Sequence, residues 1–377
     1  MQFQFSTSGQ IIFGEGRSRE LPDLVDRVGR RPFVITGSST DRHHDLLTSC
    51  QGASYSLSGE PSIENLVAAL AQAREYKADC VVGVGGGSAI DLAKAVSAML
   101  PNRGEIMDYI EVIGRGQTLD MGALPIIAVP TTAGTGAEVT KNAVLHSEEH
   151  KVKASLRHAS MLPSIALVDP ELTYGLPPKV TASTGLDAIT QLIEVFLTKK
   201  ANPLTDGLVR EALPAAAKAI RCACEYGDNV KARRDMSLAS LFSGMGLANS
   251  GLGAVHGFAG PLGGMIQIPH GTACAILLKH CLEANARAAQ SSGELSLLSR
   301  FAELGEMILG PGGDIPSLVR WAEDITKELG IGRLSDFGFV EDQVEELVEK
   351  AGKASSMRGN PVKLSDDILT AIIHQAM

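Results

Sequence analysis

Asp79–Lys94 reads DCVVGVGGGSAIDLAK, and the architecture around it follows from this stretch. Cys80–Val84 is a short apolar run rich in β-branched residues and bounded by glycine, which suits a buried parallel strand. Gly85, Gly86, Gly87 and Ser88 follow. Helical apolar spacing then runs through AIDLAKAVSAML to Pro101. Ser88 and Asp91 have capping-box spacing, which predicts a helix starting just after the glycines. Strand, glycine turn and helix N-terminus form a layout that binds phosphate, because glycine lets the backbone approach the anion and the free N–H groups favour its charge. The pattern G-x-G-G-G-S places Ser88 where G-x-G-x-x-G has its third glycine, so the turn equally suits close strand–helix packing.

The flanking sequence repeats the strand–helix alternation up to about residue 175. Phe3 and Phe5 alternate with polar residues and Ile11–Phe13 is apolar, which predicts an edge hairpin. Strands are expected at Pro32–Thr36, Ala53–Leu57, Leu124–Val129 and Ile165–Asp169, with helices at Arg17–Val28, Asp41–Ser49 and Pro61–Lys77. Val139–Leu145 and Lys151–Leu156 predict a hairpin. Repeated βα units imply a parallel sheet covered by helices, with ligands at the carboxyl ends of the strands, near Gly37, Gly85 and Pro130. The loop PTTAGTGAEVT (130–140) offers threonine hydroxyls and backbone N–H groups at such an end, and it also reads as a simple glycine-containing connection. Pro170, Pro177 and Pro178 mark a boundary. Beyond Val180 strand patterns vanish. Helices are predicted near 180–198, 204–225, 229–250, 270–287, 296–309, 314–328, 341–353 and 365–376, with clustered glycines at 244–264. The fold class is therefore an α/β domain with a parallel sheet, residues 1–176, followed by an all-α domain, residues 177–377.

The 377-residue chain carries 44% hydrophobic and 20% charged residues, as an ordinary globular protein does. A net charge of −9 argues against nucleic acid or an anionic membrane as the main partner. The segment MQFQFSTSGQII lacks a charged leader and an apolar core, and no apolar run reaches the length of a membrane span, so a cytoplasmic location is expected. The six cysteines, at 50, 80, 222, 224, 274 and 281, lack C-x-x-C spacing and read as buried free thiols.

The helical half holds three places suited to ligand chemistry. Asp187 and Gln191 are four residues apart on one helix face, with Glu194 one turn on. His256 lies in AVHGFAGPLGG and His270 in IPHGTACAI, each beside glycine. One carboxylate, one amide oxygen and two imidazoles could hold a divalent transition metal, while core histidines paired with Asp187 fit the same spacing.

GVGGGSAIDLAK (83–94), VPTTAGTGAEVT (129–140), VDPELT (168–173), TGLDAITQLIE (184–194) and VHGFAGPLGGMIQIPHGTACAILL (255–278) together resemble the iron-containing (group III) alcohol dehydrogenases, of dehydroquinate synthase-like fold. The resemblance runs from about residue 5 to the C-terminal helices. It implies a dinucleotide-binding domain, a helical domain, and a cleft holding nicotinamide and metal. By position, Gly85, Gly86, Gly87, Ser88 and Asp91 belong to the pyrophosphate turn. Thr131, Thr132 and Thr135 would line the nicotinamide and phosphate region, and Lys153 would reach the ribose. The metal, Fe²⁺ or Zn²⁺, would be held by Asp187, His256 and His270, which are also the implied catalytic residues. Gln191 stands where the family has a fourth, histidine ligand. Gly260 stands where it commonly has a proton-handling histidine.

The implied activity is hydride transfer between NAD or NADP and a small alcohol or aldehyde. A metal-independent reductase of the maleylacetate reductase type and a non-redox nucleotide-binding relative stay open as alternatives. Homodimers are common on this fold. After PFVIT come Gly37, Ser38, Ser39, Thr40, Asp41 and Arg42. A small residue, hydroxyls and an arginine accommodate a 2′-phosphate, so NADPH is expected to serve at least as well as NADH, although Asp41 opposes it.

Overall fold

A computed structural model describes residues 2–38 and 40–377. Two compact units make up the chain: Ser6–Tyr174, and Gly175–Met377 together with the N-terminal residues up to Phe5.

The first unit is α/β. Its strands are β1 (Gln10–Phe13), β2 (Pro32–Thr36), β3 (Ala53–Ser56), β4 (Cys80–Gly85), β5 (Ile126–Pro130), β6 (Asn142–Ser147), β7 (Val152–Arg157) and β8 (Ile165–Val168). Its helices are α1 (Leu21–Val28), α2 (His44–Ser49), α3 (Ile63–Tyr76), α4 (Gly87–Met99) and the short α5 (Ile106–Tyr109). Six strands form one parallel sheet in the order β1-β8-β5-β4-β2-β3, and β6 and β7 form a separate antiparallel pair. Alternate residues of each central strand face opposite sides. Phe33, Ile35, Val81 and Ile126 join one core with α3 and α4, while Val34, Val82, Val84, Ile127 and Val129 join another with α1. Burial on both faces is why these strands read as continuous apolar runs rather than as alternation.

From β2 the chain adds β3 on one side and then returns to add β4 on the other. The order therefore switches between β2 and β4, where the carboxyl ends of parallel strands leave a crevice. Gly37 and Gly85 stand at those two strand ends.

The second unit is helical: α6 (Pro178–Leu197), α7 (Pro203–Glu225), α8 (Val230–Ser250), α9 (Ala254–Met265), α10 (His270–Ser292), α11 (Leu295–Leu309), α12 (Ile315–Glu328), α13 (Val344–Lys353) and α14 (Asp366–Ala376). Helix α6 is buried along nearly its whole length and packs against α7, α8 and α10, so its polar face, with Asp187, Gln191 and Glu194, is buried together with its apolar ones. Helix α8 ends at Gly251, whose φ of 73° only glycine adopts at little cost, and α9 departs at 98° to it. Of the glycines at 244–264, Gly251 and Gly253 thus separate two helices, and the others lie within them. Among the described residues, no single helix is long and apolar enough to cross a membrane.

Two expectations fail. The N-terminal hairpin is absent: β1 pairs in parallel with β8, and Phe3 lies outside any strand, 46% exposed. A two-residue alternation without buried partners does not hold a strand. The capping box of α4 is also absent. Gly86 is the N-cap and offers no side chain, and Asp91 turns to another partner.

Candidate active site

The glycine turn leaves β4 for α4 with Gly85 at φ +159°, and a Cβ there would stand 2.6 Å from that of Ala89. At Gly87 a Cβ would stand 2.6 Å from Thr135 Oγ1, so the threonine loop packs directly on the turn. Thr131 N–H donates to the Gly85 carbonyl at 2.9 Å, and Thr132 Oγ1 lies beside Gly86. Gly37 N–H donates to the Val84 carbonyl at 3.3 Å. The structure therefore gathers Gly37, Gly85, Gly86, Gly87, Thr131, Thr132 and Thr135 at the switch point, with Ser88 in the first turn of α4. With no side chain capping α4, its first N–H groups are available to an anion.

Asp91 does something else. Its Oδ1 lies 2.9 Å from Lys94 Nζ, and its Oδ2 accepts from the Val144 N–H at 3.0 Å. Lys94, fully buried, also donates to the Ala137 carbonyl at 3.0 Å, to Thr140 Oγ1 at 2.9 Å and to the Asn142 carbonyl. The pair staples α4 to the threonine loop and to β6. With both oxygens engaged, Asp91 braces the glycine turn from behind.

Lys153 Nζ, on β7, forms an ion pair with Glu60 Oε1 at 2.7 Å. Ser38 is exposed, Thr40 opens the 3-10 turn Thr40–His43, and Ser39 lies outside the described residues. The Arg42 guanidinium donates to the Tyr174 carbonyl at 2.5 Å.

The helical unit contains a tight donor cluster. Donor atoms of Asp187 on α6, His256 on α9, and His270 and Cys274 on α10 all lie within 4.8 Å of one another. His256 Nε2 is 3.2 Å from Asp187 Oδ1, His270 Nε2 is 3.9 Å from the same oxygen, and the two rings have centroids 5.4 Å apart. Asp187, His256 and Cys274 are buried, whereas the His270 side chain is 32% exposed. Gln191 is buried on the same helix as Asp187, with its Oε1 3.0 Å from the Ser243 hydroxyl, which also lies 2.8 Å from the Ser240 carbonyl.

Glu194 organises this cluster. Its carboxylate accepts from the backbone N–H of Val255 at 2.7 Å and of His256 at 3.3 Å, at the N-terminus of α9, and lies 2.6 Å from His256 Nδ1. A carboxylate there suits the positive end of the helix. It also holds a proton on His256 Nδ1 and leaves Nε2 as the nitrogen facing Asp187 and the cluster centre, where it donates to the carboxylate and gives its lone pair to a cation only once that proton has left. Burial works to raise Asp187, but the His256 hydrogen bond and the charges of His270 and His256 outweigh it and hold the carboxyl below its ordinary value. Burial opposes charge on His256, yet Cys274, Asp187 and Glu194 together raise the imidazole well above its ordinary value. Two imidazole nitrogens and a carboxylate oxygen converging on one point fit a divalent cation.

Sequence reasoning placed Glu194 on the right helix face without a role, and it missed Cys274 among the inert thiols. The signal for Cys274 was its spacing, one helical turn after His270.

A sequence profile described as iron-containing alcohol dehydrogenase matches residues 8–170, and one for the C-terminal part of the Fe-containing alcohol dehydrogenase family matches 181–377. The chain is 35% identical over 380 residues to alcohol dehydrogenase 4 of Saccharomyces cerevisiae (strain YJM789), covering 97% of this chain and 96% of that protein. It is 35% identical over 326 residues to 1,3-propanediol dehydrogenase of Klebsiella pneumoniae, covering 84% and 80%. A solved 1,3-propanediol oxidoreductase superposes with a TM-score of 0.91 at 30% identity over 100% of both chains. A sulfoacetaldehyde reductase from Bifidobacterium kashiwanohense in complex with NAD⁺ superposes with a TM-score of 0.88 at 30% identity, over 100% of this chain and 99% of the other.

Proposed function

The chain belongs to the iron-containing alcohol dehydrogenase family, and from that footing we propose that it interconverts a small alcohol and its carbonyl compound, using NAD and a divalent cation held by Asp187, His256 and His270. The observation that carries the reading is the buried donor set, in which the second nitrogen of His256 is fixed by Glu194. A bound cation there supplies Lewis acidity, favouring negative charge on the alcohol oxygen. Asp187 offsets part of the cation's charge, and Glu194 keeps His256 in the tautomer that can donate its lone pair.

Hydride transfer is the nicotinamide's own chemistry, so the protein's part is positioning. The first N–H groups of α4, with Gly85, Gly86, Gly87 and Ser88, take the pyrophosphate. Thr131, Thr132 and Thr135 supply hydroxyls beside it. Gly260 has no side chain to hold a proton, so the alcohol proton travels by water, a coenzyme ribose hydroxyl or a threonine. At the end of β2 a Cβ added to Gly37 would meet nothing within 4 Å among the described residues, and no carboxylate stands between Thr36 and Asp41. That room supports NADPH as a coenzyme at least as good as NADH.

Steady-state assays test the reading: NAD⁺ and NADP⁺ with short alcohols, NADH and NADPH with the matching aldehydes. Turnover is expected with both coenzyme types. Nucleotide binding without turnover of any alcohol or carbonyl compound would overturn it.

A further inference from the structure

We propose that Cys274 binds the cation through its sulfur, so that Asp187, His256, His270 and Cys274 form a four-donor set in this chain. The inference rests on the metal reading above and adds to it the identity of the fourth ligand. Gln191, the residue expected in that place, has its amide turned to Ser243, whose single hydroxyl proton lies between Gln191 Oε1 at 3.0 Å and the Ser240 carbonyl at 2.8 Å. Cys274 instead presents Sγ to both imidazoles, 3.6 Å from His256 Nε2 and 3.7 Å from His270 Nε2.

Those distances match a coordination polyhedron. Metal–sulfur and metal–nitrogen bonds of about 2.3 and 2.0 Å at a tetrahedral angle set sulfur and nitrogen about 3.5 Å apart, and nitrogen and oxygen about 3.3 Å apart. The cluster shows 3.6 and 3.7 Å for the first kind of edge and 3.2 Å for the Asp187–His256 edge. The Asp187–His270 edge, at 3.9 Å, is the wide one, and it ends on the half-exposed histidine.

Ligation breaks the S–H bond as the sulfur–metal bond forms, and the proton leaves to solvent. One thiolate among nitrogen and oxygen donors softens the set and moves its preference from Fe²⁺ toward Zn²⁺. The same i,i+4 spacing that would put a ligand at 191 after Asp187 puts this one at 274 after His270, so the chain has moved its fourth donor from one helix to another.

X-ray absorption on the whole protein decides this, after chelation and reloading with Zn²⁺ or, anaerobically, Fe²⁺. The expected result is one metal per chain with a single sulfur at about 2.3 Å beside nitrogen and oxygen at about 2.0 Å. Cys274→Ser should lose the sulfur shell and bind Zn²⁺ at least roughly tenfold more weakly. A bound metal with only nitrogen and oxygen neighbours overturns the proposal and leaves the metal reading standing. A sulfur shell that survives in Cys274→Ser overturns it too. No stoichiometric metal under either loading overturns both readings. If Cys274→Ser does not fold, the shell of the unmodified protein decides alone.

Discussion

Glu194 Oε2 lies 2.6 Å from His256 Nδ1, and the same carboxylate closes the first N–H groups of α9. One side chain from α6 thus fixes both the start of α9 and the orientation of its histidine. Glu194→Gln keeps the shape but loses the charge-assisted bond to the ring. Metal affinity should fall roughly 10–100-fold with a small change in stability. Glu194→Ala leaves buried N–H groups unpaired and should cost on the order of 3 kcal/mol. Metal titration against a chromophoric chelator and thermal melts of the two variants check this.

Lys94 should be a stability residue with an effect on coenzyme binding. Lys94→Met strands the Asp91 carboxylate and the carbonyls of the threonine loop, at a cost of about 3–5 kcal/mol. Adding Asp91→Asn should recover part of that loss, because no uncompensated charge then remains. Urea denaturation of the single and double variants measures the coupling.

How much was legible in the sequence divides along physical lines. The parallel strands showed as unbroken apolar runs because both faces are buried, and the amphipathic α1 and α3 showed as period 3.6. The α4 cap did not, because Asp91 has two possible uses and only the fold brings the Val144 N–H to it and Thr140 to its neighbour Lys94. Asp187, His256 and His270 were legible as residue types beside glycines. Glu194 and Cys274 were not, because their roles arise where α6, α9 and α10 meet, at sequence separations of 62 and 18 from His256.

Glu138, in the threonine loop, should set a pH dependence of stability. Burial pushes its carboxyl up to about 7 from an ordinary 4.5, against the pull of its own backbone N–H and of Lys94. Between those values the folded protein holds a proton that the unfolded chain releases. The stabilisation is therefore complete below about 4.5 and is lost as pH rises through about 7, on the order of 3 kcal/mol in all. Denaturant midpoints measured across this range should fall with pH, and Glu138→Gln should flatten the fall.

Gly87→Ala should damage coenzyme binding. Its Cβ would stand 2.6 Å from Thr135 Oγ1, so either the turn or the threonine loop must move. Coenzyme Kd, followed by NADH fluorescence, should rise at least about tenfold, since roughly 1.4 kcal/mol of misplacement suffices for that. Thr135→Ala in the same chain removes the struck oxygen and should recover part of the loss.

The most direct test of a cation-assisted dehydrogenase is turnover after exhaustive chelation, with NADH binding measured on the same sample. NADH binding should persist, because the glycine turn and threonine loop need no metal. Alcohol oxidation should fall by at least about a hundredfold, the several kcal/mol of charge stabilisation that the cation supplies, and should return when one equivalent of Zn²⁺ or Fe²⁺ is added. Full turnover after chelation, unchanged by added metal, would contradict the assignment of Asp187, His256 and His270.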